Sequence, residues 1–378
     1  MSNMKKQLLI LTITGVLAAF PITSHAMADS ASAACVINGV TGEIVFEKNA
    51  HERRSMASTT KMMTAIVALE NSNPDDVITV SEDAAIQEGS SAYIEPGQQI
   101  FMRDMIFGLM LNSGNDAAYA IAEHMAGSRE AFADIMNKYA WEKIGAVDTQ
   151  FINPSGLDGE GHYSSAYDLT LIAKYGLNNP EFRRVVATRT MTAQPINSEE
   201  PLYFSNHNKL LDMYEGRIGV KTGYTSSTGR CLVSAAERDG MLFIAATLDD
   251  NDDWNSHMEM LDYAFAGHYK KAAVLKNQIV KKAVIDGEVC RFVYANDFNV
   301  PLHNNNRVEL KVVNHMENNL GRPINEGEKV GWAEIFYGNT VVGTVDILSD
   351  TEIRGISNIR LKNSFFGSFI RAFNIWLL

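Results

Sequence analysis

A long apolar run in this chain covers residues 62–69, where only Thr64 is not apolar. Such a run is typical of a helix that is buried on nearly every side. Its polar residues lie at one end, in residues 57–61. Because residues three apart share one face of a helix, Ser58 and Lys61 are predicted to approach each other there.

The remaining pattern predicts helices followed by strands. Residues 35–48 alternate around a glycine-bounded turn and indicate a hairpin, and a second hairpin is predicted where two alternating segments flank Asp239-Gly240. Helices are predicted at 102–111, 116–124, 130–144 and 166–175. This order indicates an α+β domain with an antiparallel sheet and a helical subdomain, in which the first hairpin joins the later strands.

A second, smaller domain is predicted after the helical stretch 258–265. Beyond Gly267 the pattern is rich in short strands, with tight turns at Asp286-Gly287 and Gly338-Asn339. We therefore expect a first domain at 29–267 and a small β-sandwich at 268–358.

The two ends of the chain carry different signals. Lys5 and Lys6 precede an apolar run over residues 8–20 and then small residues up to Ala28, a pattern typical of a secretory signal peptide at 1–28; a buried N-terminal helix is the alternative. At residues 359–378, an amphipathic helix with an aromatic apolar face is predicted to lie in a membrane interface. Packing of this helix on the protein's own core is the alternative.

Composition and charge exclude several classes of function and of ligand. The chain has 45 acidic and 33 basic residues, a formal charge of −12, which argues against a nucleic-acid partner. Cys35, Cys231 and Cys290 form neither a metal-ligand spacing nor a dense disulfide framework, and we interpret them as small buried residues. No metal or other cofactor is predicted.

Ser58 and Lys61 can form a nucleophile. A serine hydroxyl attacks poorly unless a base takes its proton, and a lysine that is partly removed from water can lose enough pKa to be that base. The helix N-terminus adds free backbone N–H groups where an oxyanion would form. The spacing alone is also compatible with Ser58 as an N-cap and Lys61 as a solvated residue.

Two further motifs favour the catalytic interpretation of Ser58 and Lys61 over the structural one. Ser113-Gly114-Asn115 is the one S-x-N in the sequence and Lys221-Thr222-Gly223 the one K-T-G. Together with the Ser58–Lys61 pair, in this order, they resemble the penicillin-interacting serine enzymes, and among these the low-molecular-mass penicillin-binding proteins that are D-alanyl-D-alanine carboxypeptidases. Supporting stretches such as Asn153–Asp158 extend the resemblance over nearly the whole mature chain.

The resemblance implies roles for particular residues. Ser58 would be the nucleophile, Lys61 its base, and Ser113 with Lys221 the donor of a proton to the leaving amine. The backbone N–H groups of Ser58 and Tyr224 would be the oxyanion donors. The residues that bind the substrate would be Asn115, Thr222, Gly223, Tyr224 and His207.

The sequence departs from the family pattern in carboxylate recognition. Some relatives hold the substrate carboxylate with an arginine, but the matching regions here contain His207 and the acidic run 249–253. We expect that run to be a solvated loop. A triad role for His162 is not favoured, because Lys61 already fills the role of the base.

These features predict an exported enzyme on the outer face of the cytoplasmic membrane, held there by the C-terminal helix. It would remove the terminal D-Ala from peptidoglycan stem peptides through an acyl-serine and be acylated by β-lactam antibiotics. The alternatives are a serine β-lactamase and a non-catalytic protein of the same fold that binds the cell wall.

Overall fold

The computed structural model describes residues 27–285, 288–316 and 323–354. The chain begins with a hairpin and continues as a series of helices with short strands between them. The elements up to residue 177 are β1 (Ala31–Asn38), β2 (Ile44–Lys48), α1 (Lys61–Asn71), β3 (Val77–Thr79), α2 (Glu82–Ala85), β4 (Gln99–Phe101), α3 (Met102–Leu111), α4 (Asn115–Ala126), α5 (Arg129–Lys138) and α6 (Ala166–Leu177).

The later elements complete the first domain and form the second. They are α7 (Pro180–Ala187), β5 (Thr190–Ala193), β6 (Leu202–Ser205), α8 (Leu210–Met213), β7 (Arg217–Thr225), β8 (Gly229–Arg238), β9 (Met241–Asp250), α9 (Asp253–Ala266), β10 (His268–Val274), β11 (Ile279–Ile285), β12 (Glu288–Tyr294), β13 (Phe298–His303), β14 (Leu310–Met316), β15 (Lys329–Tyr337) and β16 (Thr340–Ser349).

The first domain is built on one five-stranded sheet with the order β2-β1-β9-β8-β7, in which all neighbours are antiparallel. Both faces of this sheet are buried. On β1, for example, Cys35 and Ile37 pack toward α1 and α6, whereas Ala34 and Val36 pack toward α9. Strand β7, which carries K-T-G, lies at an open edge of the sheet.

The second domain contains a two-stranded sheet, β10-β13, and a five-stranded sheet, β11-β12-β16-β15-β14. Residues from both sheets share one apolar core, which includes Val300 and Leu302 from the first and Phe292, Ile335 and Ile347 from the second. The predicted β-sandwich is therefore confirmed.

The two domains touch through the turn between β1 and β2. Asn38 is fully buried and donates a hydrogen bond from Nδ2 to the backbone oxygen of Pro301 at 2.9 Å. Val40 packs against the core of the second domain. Tyr337 donates from its hydroxyl to Glu43 Oε2 at 2.8 Å, so one turn carries several contacts between the domains.

Most predicted elements are confirmed, and the differences have local causes. The hairpins at 35–48 and at Asp239-Gly240 form as expected. The predicted helix 130–144 is also confirmed, although its end, Tyr139–Ile144, is π-helical and not α-helical. Helix α7 and the β5–β6 hairpin were not predicted.

Some predictions fall on residues that the structure leaves undescribed. The signal peptide, apart from its last residues, the amphipathic helix 359–378 and the turn at Asp286-Gly287 all lie outside the described residues. Within the described part of the chain, no helix combines the length and the apolar character needed to cross a membrane.

Candidate active site

The Ser58 hydroxyl lies on a tight turn that leads into α1. Residues Ala57–Thr60 form a 3-10 turn, and Lys61 is the first residue of the α-helix. Ala57 has a φ of +47°, a conformation that side chains disfavour. Thr60 donates from Oγ1 to the Ala57 oxygen at 2.8 Å and so holds this turn in place. No side-chain cap bond from Ser58 is formed, so the N-cap interpretation is wrong.

Two glycines let other segments approach this turn closely. A Cβ added to Gly156, whose φ is +90°, would lie 2.0 Å from the Ala57 oxygen. A Cβ added to Gly223 would lie 3.1 Å from the Ser58 nitrogen. The glycine of K-T-G therefore allows β7 to pack directly against the backbone that carries Ser58.

Lys61 is completely buried, and each hydrogen-bonding direction of its amine has a partner. Nζ lies 2.9 Å from Ser58 Oγ, 2.7 Å from Asn115 Oδ1 and 2.5 Å from the Ser155 backbone oxygen. The last two oxygens can only accept. In a neutral amine they take both N–H donors, and the nitrogen lone pair then faces the hydroxyl of Ser58.

The electrostatic surroundings favour this neutral form. Burial lowers the pKa of Lys61 well below its usual value, and the positive charge of Lys221 lowers it further, while the carboxylate of Asp116 opposes the change. A depressed lysine pKa is what general-base activation of a serine requires.

Ser113 and Lys221 form a second hydroxyl–amine pair. Ser113 has a φ of +58° at the junction of α3 and α4, which turns its side chain toward β7. Lys221 donates from Nζ to Ser113 Oγ at 3.0 Å and to the Thr222 backbone oxygen at 2.9 Å. Burial lowers the pKa of Lys221 to about 7, so this amine can hold or release a proton near neutral pH.

The side chain of Asn115 links the first pair to a neighbouring loop. Its Oδ1 accepts from Lys61, and its Nδ2 donates to the Glu88 backbone oxygen at 2.6 Å. One amide hydrogen remains for a ligand. The next residue, Asp116, is fully buried and accepts from the backbone nitrogen of Ala92 at 2.8 Å, which fixes the same loop.

The side chain of Asn153 stabilises the loop whose Ser155 carbonyl accepts the hydrogen bond from Lys61. Asn153 Oδ1 accepts from the backbone nitrogens of Ser155 and Gly156 at 3.0 and 2.7 Å, an Asx turn. The Asn-Pro-Ser-Gly stretch supported the family resemblance, but its contact with Lys61 was not predicted. Its turn-forming composition was the available signal.

The remaining predicted substrate-binding residues lie along the open edge of the sheet or beside it. Thr222 is half-buried, and Tyr224 is 67% exposed on the edge strand β7. His207 is also exposed, and desolvation of its ring, with a further contribution from the charge of Lys221, lowers its pKa. Thr222, Tyr224 and His207 are therefore accessible to a ligand.

His162 has a structural environment. The backbone N–H of Ile152 donates to its Nδ1 at 3.2 Å, so Nε2 carries the hydrogen and donates to Thr60 Oγ1 at 2.8 Å. Burial lowers its pKa to about 4. His162 thus supports the turn that carries Ser58 and bonds to Thr60 instead of to the serine.

The acidic run 249–253 is not the solvated loop that the sequence predicted. Asp250 and Asp253 are buried, and Asp253 accepts two hydrogen bonds from Arg230 at 2.7 and 2.9 Å. The run ends β9 and begins α9. Among the described residues, no group of three or more His, Cys, Asp or Glu side chains could hold a metal ion.

The arrangement combines a serine hydroxyl facing a buried amine, a second hydroxyl–amine pair, and an open strand edge beside them. These are the parts of a serine acyl-transfer site: a nucleophile with its base, a proton donor, and a place where an extended peptide can lie. The class that fold and site define is a serine hydrolase of the penicillin-interacting type.

Comparisons with known proteins agree with this class. A family model described as D-alanyl-D-alanine carboxypeptidase matches residues 21–252, and one described as penicillin-binding protein 5, C-terminal domain, matches residues 269–354. The chain is 33% identical over 322 residues to the D-alanyl-D-alanine carboxypeptidase DacF of Bacillus subtilis, covering 81% of each protein. It is 34% identical over 255 residues to the D-alanyl-D-alanine carboxypeptidase of Streptomyces sp. strain K15, covering 63% of this chain and 87% of that protein.

Solved structures give the same result. The D-alanyl-D-alanine carboxypeptidase DacD from Francisella tularensis matches with a TM-score of 0.61 and 28% identity, covering 86% of this chain and 94% of that one. The Streptomyces K15 DD-transpeptidase matches with a TM-score of 0.60 and 34% identity, over 63% and 97% of the two chains. The chain therefore belongs to the D-alanyl-D-alanine carboxypeptidase family of low-molecular-mass penicillin-binding proteins. The predicted family, fold and enzyme class are confirmed.

Proposed function

We propose that the enzyme removes the terminal D-Ala of peptidoglycan stem peptides through an acyl-enzyme on Ser58. The observation that carries this proposal is the environment of Lys61. Two carbonyl oxygens occupy its N–H donors, so that its lone pair faces the Ser58 hydroxyl. Family membership supplies the reaction class, and this geometry supports the proposed residue assignments.

In acylation, Ser58 Oγ attacks the carbonyl carbon of the penultimate D-Ala, and its proton passes to Lys61 Nζ. The backbone N–H groups of Ser58 and Tyr224 are assigned to the oxyanion, a contribution for which one donor is typically worth about 10²–10³ in rate. As the C–N bond breaks, Ser113 gives its proton to the leaving amine and Lys221 replaces it.

Deacylation returns the site to its starting state. A water oxygen attacks the acyl carbonyl carbon, the ester bond to Ser58 breaks, and one water proton ends on the serine oxygen. Transfer of the extra proton from Lys61 to Lys221 then restores the charges of both amines. The pKa of Lys221 near 7 suits it to both halves of the cycle.

Substrate binding is assigned to the exposed side of the site. The free amide hydrogen of Asn115 would bind a peptide carbonyl, and Thr222 with Lys221 would receive the terminal carboxylate. Gly223 keeps the edge strand close to Ser58. His207, which lies near enough to Lys221 to sense its charge, would contribute the contact that an arginine supplies in some relatives.

Penicillins would acylate the same serine, because their strained amide presents a carbonyl carbon in the same place. In a penicillin adduct the leaving amine stays tethered, so slow hydrolysis is expected. Rapid turnover of penicillin would favour the β-lactamase alternative, and absence of any labelling would favour the wall-binding alternative.

The labelling experiment uses a fluorescent penicillin and intact-protein mass spectrometry. Ser58→Ala should abolish the adduct while the unfolding midpoint stays close to that of the unchanged protein. Ser72→Ala, at the other end of α1, is the matched control and should label normally. An adduct that persists in Ser58→Ala would refute the assignment.

For location, the proposal divides the chain into a signal peptide (1–28), a catalytic domain (29–267), a β-rich domain (268–358) and a membrane-binding helix (359–378). Export is supported by the leader pattern, and anchoring at the outer face of the cytoplasmic membrane by the aromatic face of residues 362–378. Deleting residues 362–378 should release a soluble enzyme with unchanged activity on a small diacyl-D-Ala-D-Ala peptide. Truncated protein that still sediments with membranes would contradict the anchor.

A further inference from the structure

Asp158 lies at the meeting point of three segments that build the site. It follows the Asn153 turn, and its Oδ1 accepts hydrogen bonds from Ser55 Oγ at 2.9 Å and from Thr228 Oγ1 at 2.8 Å. Its Oδ2 accepts from the hydroxyl of Ser227. The hydroxyls of Ser55 and Thr228 also contact each other at 2.6 Å.

These donors belong to the two segments that hold the assigned oxyanion groups. Ser55 stands three residues before Ser58, in the segment that leads into the Ala57–Thr60 turn. Ser227 and Thr228 lie in the loop between β7 and β8, immediately after Tyr224 and Thr225. One carboxylate therefore ties the nucleophile turn to the end of the strand that passes beside it.

Besides Asp158, the bond between the Thr228 and Ser55 hydroxyls at 2.6 Å and close backbone packing at Gly223 join these two segments. Gly223 has no side chain to hold the strand in place, and its backbone approaches Met56 and Ser58 closely. Backbone packing of this kind resists compression but does little to prevent the segments from moving apart. Hydrogen bonds across the end of the junction supply the missing restraint.

The hydrogen bonds also act on the charge state of the carboxylate. Asp158 is exposed, and the slight burial of its carboxylate would raise its pKa, but the hydroxyls of Ser227, Thr225, Thr228 and Ser55 outweigh burial and lower the pKa to about 2. The side chain is therefore an anion over the whole pH range in which the enzyme would work. All of its described partners are hydroxyl groups, so it acts as an acceptor for several segments at once.

We infer that Asp158 is a positioning residue that sets the spacing between the backbone N–H groups of Ser58 and Tyr224 by clamping Ser55 to the loop at Ser227 and Thr228. This inference rests on the proposed function, because it takes these two N–H groups as the oxyanion donors. Asp158 contacts neither the reacting atoms nor Lys61. It acts through the two segments that it joins.

The expected effect of losing the clamp is on the chemical step. A misplacement of about 1 Å in a reacting geometry costs about 10²-fold in rate, and one oxyanion donor is worth about 10²–10³. Asp158→Ala should therefore lower the acylation rate constant about 30- to 100-fold and leave the dissociation constant of the initial complex within about threefold.

The experiment measures single-turnover acylation of the full chain by a chromogenic cephalosporin, which separates initial binding from the acylation step. Asp158→Asn keeps one oxygen acceptor and should lose less than Asp158→Ala. Thr228→Val removes one donor at nearly constant volume, and thermal unfolding of each variant shows whether it folds like the unchanged protein. Glu160→Gln, a nearby exposed carboxylate, is the matched control and should behave like the unchanged protein.

A double-mutant cycle completes the test. If Thr228 acts through the carboxylate, the rate losses of Asp158→Ala and Thr228→Val should combine to less than their product. Unchanged acylation in both Asp158 variants, a loss confined to initial binding, or fully multiplicative losses would each overturn the inference. Failure of the proposed function gives a different result, because Ser58→Ala would then still form an adduct.

Discussion

Replacing Lys221 with Met should make the protein more stable while abolishing its activity. The amine is buried, and burial lowers its pKa from 10.5 to about 7. Folding at neutral pH therefore requires either a charge in an apolar setting or the loss of a proton that the unfolded chain would keep. Methionine fills a similar volume without this cost.

The magnitude follows from the shift in pKa, at 1.36 kcal/mol per unit. At pH 7.5 the penalty of Lys221 is about 4 kcal/mol, and at pH 9.5 it falls to about 1 kcal/mol. The variant loses two hydrogen bonds, to Ser113 and to the Thr222 oxygen, at about 1 kcal/mol each. The net gain should be about 2 kcal/mol at pH 7.5 and disappear near pH 9.

The pH dependence of this stability difference tests the buried-amine argument more sharply than its size at one pH. Between pH 7 and 10.5 the unfolded chain binds the extra proton and the folded protein does not, so the stability of the unchanged protein rises with pH through this window. Lys221→Met lacks that gain. The difference in unfolding free energy between the two proteins should therefore change by about 2–3 kcal/mol between pH 7.5 and 9.5.

The assay is urea unfolding of the two proteins at pH 7.5, 8.5 and 9.5, with Lys209→Met as the control. Lys209 is exposed, so its replacement should shift stability equally at each pH. Parallel pH profiles for the unchanged protein and Lys221→Met would refute the reasoning, as would a variant that is less stable at pH 7.5.

Further predictions concern the same site. Lys61→Arg places a guanidinium that cannot accept a proton near neutral pH where the unchanged enzyme has a neutral amine, so penicillin acylation should fall by orders of magnitude while initial binding persists; a near-normal rate would contradict the role of base. Gly156→Ala would force a Cβ against the Ala57 oxygen at a positive φ, and should cost about 2 kcal/mol or more in unfolding free energy together with most acylation activity, as measured by thermal unfolding and labelling. The kcat/KM profile of the unchanged enzyme should fall above about pH 7, as Lys221 loses its proton, whereas Lys221→Arg should show no alkaline decline.

The sequence pattern predicted those secondary-structure elements that are determined by their own residues. The turn at Asp239-Gly240 and the helix Met102–Leu111 follow from turn residues and from apolar periodicity. Helix α7 was missed although Asn179 and Pro180 form a recognisable helix start. The turn at Ala57 was also missed, because its positive φ is imposed by packing against Gly156 and β7 and not by its own sequence.

Of the active site, only the residues that belong to the three sequence motifs or to the family resemblance were predicted. Sequence order placed Ser58, Lys61, Ser113 and Lys221 on different elements, and a family resemblance was needed to bring them together. The Ser155 carbonyl beside Lys61 and the carboxylate of Asp158 contribute contacts that no spacing encodes, because their partners lie 94 and 103 residues away. The acidic run 249–253 was misread because charge alone does not show that Arg230 pairs with Asp253.

The turn between β1 and β2 determines how this enzyme can be shortened for laboratory use. A fragment cut near Gly267 would remove Pro301 and Tyr337, which bond to Asn38 and Glu43, and would uncover Val40. The turn that would lose these contacts follows β1, an interior strand of the sheet in the first domain. The cut should therefore also destabilise the core of that domain. Expression vectors for inhibitor screening should therefore retain the whole β-rich domain, residues 268–358.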